Sequence, residues 1–376
     1  MDVAKIREDF PIVERKTFLN HAATSPLPRP VVEAINEYME RSSTLGTASL
    51  DLEEGRRLFA RLIGARPREI AIIPNTSTGL NIAANLLDYP PGANVVTTVL
   101  EYPAVVYPWL RRSLNVEVRY VRNVRGTIRL EDFEKAIDDR TVAVAISHVE
   151  YANGLRNDLK AIAQIAHEHG ALIIVDAIQS VGALHLDVKG CDVDFLATSS
   201  YKWMLGPPGV GFMYVKDDLI GRFEPTFVGC AGVKPEVFET TALWNNRELI
   251  LSEDARRFEV SEPGALSFVG TVAALKIILS TGIDLIERRV LKLTGRLIDE
   301  LTAMGLRLQT PEKEEQRAGI VNFTVESPED VVRMLGDADI IVSARAQGVR
   351  VSPHFYNTEE EIEVFIEAVK GILKAS

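Results

Sequence analysis

The chain has 376 residues, a formal net charge of −11, 46% hydrophobic and 25% charged residues, and two cysteines. An acidic chain without a basic run speaks against a nucleic-acid partner, whose phosphates would repel it. No apolar run approaches the roughly 18 residues that cross a bilayer, and the charged start Met1–Asp9 has no apolar signal core. Cys191 and Cys230 offer neither a disulfide framework nor metal-ligand spacing, so a reducing cytoplasm without a bound metal is expected. The length suits one large domain and a smaller one.

In chain order, a short apolar run at Ile70–Ile73 precedes a helix over Gly79–Leu87. Strands are then predicted at Asn94–Leu100, Val116–Val121, Thr141–His148, Ala171–Asp176, Asp194–Ser199 and Gly211–Val215. Helices are predicted between them at Ala104–Leu114, Leu130–Ile137 and Leu159–His169. This alternation predicts an α/β fold with a mostly parallel sheet and helices on both faces. Ala171–Asp176 is apolar at consecutive positions up to its last residue, as a central strand buried on both faces reads. Beyond residue 255 the pattern changes to a long helix over about Ala265–Met304, strands at Ile320–Val325 and Ile340–Val342, and helices at Pro328–Leu335 and Thr358–Lys374. That is a smaller α+β domain. The expected division is 1–30 packing with the small domain, 31–255 as the large domain and 256–376 as the small one.

In sheets of this kind ligands sit beyond the carboxyl ends of the strands, which points to His148, Asp176 and Ser199. Ser199-Ser200-Tyr201-Lys202-Trp203 follows a strand and precedes the turn Gly206-Pro207-Pro208-Gly209-Val210-Gly211. A lysine held there would be desolvated toward the neutral amine that Schiff-base chemistry needs; taken alone, a lysine on a loop reads as a solvated surface charge. Asp176 ends the most apolar strand, where a carboxylate needs a cationic partner. The pyridinium nitrogen of pyridoxal 5'-phosphate (PLP) is one such partner, and a helix cap or salt bridge is another reading. Asn75-Thr76-Ser77-Thr78-Gly79 puts hydroxyls at a helix start, which suits either phosphate binding or ordinary capping.

Together, Val175-Asp176-Ala177-Ile178-Gln179-Ser180 and Ser199-Ser200-Tyr201-Lys202-Trp203 with its glycine-rich sequel resemble the class V aminotransferase family. That family includes cysteine desulfurases, kynureninases, C–S lyases and isopenicillin N epimerase-like proteins. The resemblance runs from about Phe18 to the C-terminus. It implies the fold-type I architecture, with a seven-stranded large-domain sheet, and PLP as cofactor. It also implies that Lys202 holds PLP as a Schiff base and shuttles the proton at the substrate α-carbon. Asp176 would pair with the pyridine nitrogen, and Gln179 would reach the phenolic oxygen. Thr76, Ser77, Ser199 and Tyr201 fall at phosphate-binding positions. Tyr102 sits where the family stacks a ring on the cofactor, with Pro103 as the alternative, and Tyr151 lies at the phenolic edge.

By the same resemblance, Arg350, or else Arg345, clamps the substrate α-carboxylate, because a guanidinium fork matches a carboxylate bidentately. A homodimer is implied, with Phe258-Glu259-Val260-Ser261-Glu262-Pro263 at the position where the partner completes the phosphate site. The chain departs from the desulfurases in having no cysteine after Cys230 and no histidine at 102 or 103. Cys230 is expected to be a small buried residue. The expected activity is transamination of a small amino acid. C–S lysis or desulfuration is the main alternative, followed by epimerisation and kynureninase-like hydrolysis.

Overall fold

The computed structural model describes residues 1–46, 49–234, 237 and 247–375. Its centre is a seven-stranded sheet built from β2 (Ile70–Ile73), β3 (Asn94–Thr98), β4 (Glu117–Val121), β5 (Thr141–Ser147), β6 (Leu172–Asp176), β7 (Phe195–Ser199) and β8 (Gly211–Val215). The order is β2-β8-β7-β6-β5-β3-β4. Only β8 runs antiparallel to its neighbours. β6 is the fourth of the seven, and Ile173, Ile174 and Val175 are each at most 1% exposed. Burial of such side chains contributes roughly 1.5–3 kcal/mol apiece and fixes the strand between two helical layers. The predicted α/β, fold-type I architecture is the one observed.

A second sheet joins β9 (Val321–Thr324), β11 (Ser343–Arg345) and β12 (Gly348–Val351) in the order β11-β12-β9, all antiparallel. β1 (Thr17–Phe18) pairs in parallel with β10 (Ile340–Ile341). The N-terminal segment is further held there by Arg7, which bonds the Glu361 carboxylate and the Tyr356 carbonyl, and by Phe10 stacked on Tyr356 at 3.9 Å.

Two helix expectations are corrected. Ala104–Leu114 is helical only over Pro103–Val106 and then continues as the 3-10 turns Tyr107–Leu110 and Arg112–Leu114. Pro108 has no N–H to give the ladder and crowds the preceding turn. Ala265–Met304 is two helices, Ala265–Thr281 and Ile283–Ala303, bent by 82°. Gly282, at φ 89°, takes a conformation that ends the first helix and that side-chain-bearing residues rarely adopt. Among the described residues no single helix is long and apolar enough to cross a membrane. The structure adds the helices Arg29–Leu45 and Leu52–Leu62 and the strands β11 and β12 to the expected elements.

Candidate active site

Topology gathers the strand-end residues. β5, β6 and β7 are parallel, so Ser147, Asp176 and Ser199 emerge on one edge of the sheet. β8 starts on that edge, with Gly211 opposite Ser199, and β2 ends there, with Ile73 opposite Gly211. The helix Thr76–Leu86 therefore begins beside the end of β7. The backbone N–H of Thr76 donates to Ser199 Oγ at 2.7 Å, and the two hydroxyls lie 2.9 Å apart. Asn75 caps the helix through the Thr78 N–H at 2.9 Å. The Ser77 N–H has no hydrogen-bond partner among the described residues, and its side chain is exposed. Capping and anion binding thus coexist. Asn75 satisfies one orphan donor, while Ser77 leaves an N–H and a hydroxyl at the positive end of an 11-residue helix.

Asp176 is 3% exposed and accepts one hydrogen bond, from the Ile178 N–H to Oδ1 at 2.9 Å. Burial pushes its carboxyl up to about 6. Lys202 lies close enough to counter part of that rise, and its amine makes no hydrogen bond or ion pair among the described residues. Burial lowers the Lys202 amine to about 8; Asp176 opposes the fall, and Arg350 and Arg345 add to it. A neutral amine is therefore accessible near neutral pH. The amine stands 5.9 Å from the centre of the Tyr102 ring and 5.8 Å from that of Tyr201. Tyr102 meets Tyr151 edge-on at 5.2 Å. Of the two candidates for a group over the site, Tyr102 is the N-cap of the short helix that Pro103 opens.

Gln179 is braced from both sides. Its Nε2 donates to the Ala22 carbonyl at 3.0 Å and its Oε1 accepts from Trp203 Nε1 at 2.9 Å, which leaves one amide N–H uncommitted. Trp203 is fully buried and fixes the residue next to Lys202. Arg350 comes from the small sheet and is 2% exposed. Its Nη1 donates to the Tyr151 carbonyl at 2.9 Å and its Nε to Ser343 Oγ at 3.2 Å. Among the described residues it has no carboxylate partner. Burial first, and then Arg345, lowers its guanidinium to about 10, so it remains charged at neutral pH. Arg345 is exposed, and among the described residues its side chain donates only to the Ala344 carbonyl, at 2.6 Å.

Sequence reasoning missed a buried carboxyl pair beneath the site. Glu101 accepts from the Ser147 N–H and hydroxyl, both at 2.6 Å. Glu150 Oε1 accepts from Thr98 and Asn157, both at 3.1 Å, while its Oε2 is buried without a conventional donor. The two carboxyls adjoin, so one must carry a proton. Burial, then Glu150, raises Glu101 well above the usual range, and burial raises Glu150 to about 7. The available signal was position: each glutamate follows a strand of the large sheet within three residues. His148 is also buried, with Nδ1 unpartnered, and burial lowers it to about 3. Cys230, expected to be buried, is exposed. It opens a 3-10 turn at the surface, where its glycine neighbours provide no cover.

The donor set fits PLP. That molecule presents a phosphate, an aldehyde and a ring nitrogen, and the chain offers a helix N-terminus ringed by hydroxyls, an unpaired lysine amine and a buried carboxylate whose Oδ2 accepts no hydrogen bond among the described residues. Fold and site together define a PLP-dependent enzyme of fold type I. The family model for "Aminotransferase class-V" matches residues 17–365, and the chain belongs to that family. A Bacillus subtilis (strain 168) protein described as the uncharacterized aminotransferase YcbU is 32% identical over 371 residues, covering 96% of each chain. The apo structure of cysteine desulfurase from Thermococcus onnurineus NA1 superposes with a TM-score of 0.89 at 30% identity, covering 99% of this chain and 98% of that one. A C-DES mutant with glycine covalently linked to its PLP cofactor shares the fold at a TM-score of 0.86 and 24% identity, over 96% of this chain and 98% of that one.

Proposed function

We propose that this PLP enzyme transaminates a small amino acid, with Lys202 as the covalent anchor of the cofactor. The observation that carries the reading is Arg350, a buried guanidinium whose partners among the described residues are neutral and which lies near enough to the Lys202 amine to lower its pKa. A buried cation without a counter-ion is costly, and a bound α-carboxylate would offset that cost. In this reading Asp176 pairs with the ring nitrogen. Thr76, Ser77, Ser199 and Tyr201 hold the phosphate, and the remaining N–H of Gln179 and the Tyr151 side chain border the phenolic oxygen. Tyr102 covers the ring face. The cofactor supplies an electron sink for charge that develops at the substrate α-carbon. Lys202 as the free amine would be the base that removes and returns the proton there, and its lowered pKa suits that task. Ser261 and Glu262 are exposed on the single chain, which supports a homodimer whose second copy reaches the phosphate end.

The desulfurase reading lacks its nucleophile, because the sequence has no cysteine after Cys230. Elimination of a sulfur leaving group needs no such cysteine, so C–S lysis stays as the second reading, supported by a similar structure described as the cystine C–S lyase C-DES. Incubation with a panel of amino acids, assayed for keto acid, pyridoxamine phosphate and sulfide, decides between them. Transamination predicts stoichiometric pyridoxamine phosphate in the absence of an acceptor. Catalytic sulfide release without it would overturn this reading in favour of the lyase.

A further inference from the structure

The strands β11 and β12 place two arginines on one surface. Ser343 stands opposite Arg350, and Arg345 stands opposite Gly348. Directly opposed residues, and residues two apart along a strand, project to the same face. Arg345 and Arg350 are therefore diagonal neighbours on one face. That face covers the turn after β5: Arg350 bonds the Tyr151 carbonyl, and Asn322, opposite Arg350 on β9, donates to the Ala152 carbonyl at 2.7 Å. Between the arginines the face carries only Ser343 and Gly348. A Cβ on Gly348 would fall 2.1 Å from Asn322 Oδ1 and 3.0 Å from Gln309 Nε2, so those two side chains close over this position and only glycine fits it.

Neither arginine has a carboxylate partner among the described residues. Both guanidiniums lie near enough to the Lys202 amine for each to lower its pKa. One α-carboxylate balances one of the two guanidiniums and leaves the other without a counter-charge. We propose that the substrate carries a second anionic group, bound by Arg345 while Arg350 holds the α-carboxylate: an amino acid with a short acidic side chain, of the aspartate or glutamate type. This rests on the reading of Arg350 as the α-carboxylate clamp.

The test is calorimetric titration of the PLP-loaded enzyme, at fixed ionic strength, with succinate and with butyrate as its monoanionic counterpart. A second charge-assisted contact predicts succinate binding at least about tenfold tighter than butyrate. Arg345→Gln should erase that preference while changing butyrate affinity less than about threefold, and Arg345→Lys should restore part of it. Equal binding of the two acids by the native enzyme, or equal weakening of both by Arg345→Gln, overturns the proposal. Arg350→Gln should weaken both acids. Unchanged butyrate affinity in that variant would instead overturn the clamp reading, which separates the two failures.

Discussion

The strand-end cavity of the large sheet and the small-domain ribbon are built on different principles. In the cavity, residues from Thr76 to Lys202 meet because parallel strands deliver their carboxyl ends to one edge, and each polar residue follows an apolar run. In the ribbon, Arg345 and Arg350 lie five residues apart, yet they share a face only because a two-residue turn reverses the chain between Arg345 and Gly348. Ala346 and Gln347 adopt φ of 50° and 61°, the left-handed pair that such a turn needs and that glycine or asparagine usually provides. The cavity is thus specified by local pattern and the ribbon by register. The cavity supplies the groups for reaction chemistry, whereas the ribbon supplies those for substrate charge.

That division predicts separable losses. Asp176→Asn should cost about 10²–10³-fold in kcat/KM, the scale of removing one preorganised electrostatic partner, while covalent cofactor capture persists. Full activity in this variant would remove the cavity's electrostatic role. Arg350→Ala should raise KM for amino acids about tenfold to a hundredfold and leave amines without a carboxylate little changed. Equal effects on both substrate types would move Arg350 from substrate recognition to support of the small sheet.

A smaller effect concerns pH. Burial raises Glu150 from 4.5 to about 7. A raised carboxyl contributes stability that is fully present below the ordinary value and is lost as pH climbs through the folded one. Glu101 and Asp176 act with the same sign in the cofactor-free protein. The buried His21, His148 and His354, all lowered by burial, act with the opposite sign. The Glu150 contribution is therefore read as a difference. Glu150→Gln, whose amide can donate to Glu101, should gain urea resistance relative to the native apoprotein between pH 4.5 and about 7. A constant difference across that range would show that the pair does not share a proton.

Asp176 stood out as a carboxylate ending a wholly apolar strand, whereas Lys202 alone read as a surface charge and drew its role from the family resemblance. Tyr102 and Tyr151 required the family's pattern. Glu101 and Glu150 were not legible, since a glutamate after a strand reads as solvated until the fold buries both side by side. The pairing of Arg345 with Arg350 was hidden for another reason. Its turn residues, alanine and glutamine, carry none of the usual hairpin chemistry, so β11 and β12 gave no signal. Gly282 and Pro108 were visible in the sequence, but helical periodicity on either side outweighed them.

The central claim is that Lys202 is the covalent anchor of the cofactor. Borohydride reduction of the PLP-loaded enzyme, followed by peptide mapping, tests it directly. The account predicts a single reduced adduct on the peptide containing Tyr201-Lys202-Trp203, absent in Lys202→Ala. An adduct on another lysine, or one that survives Lys202→Ala, would contradict it.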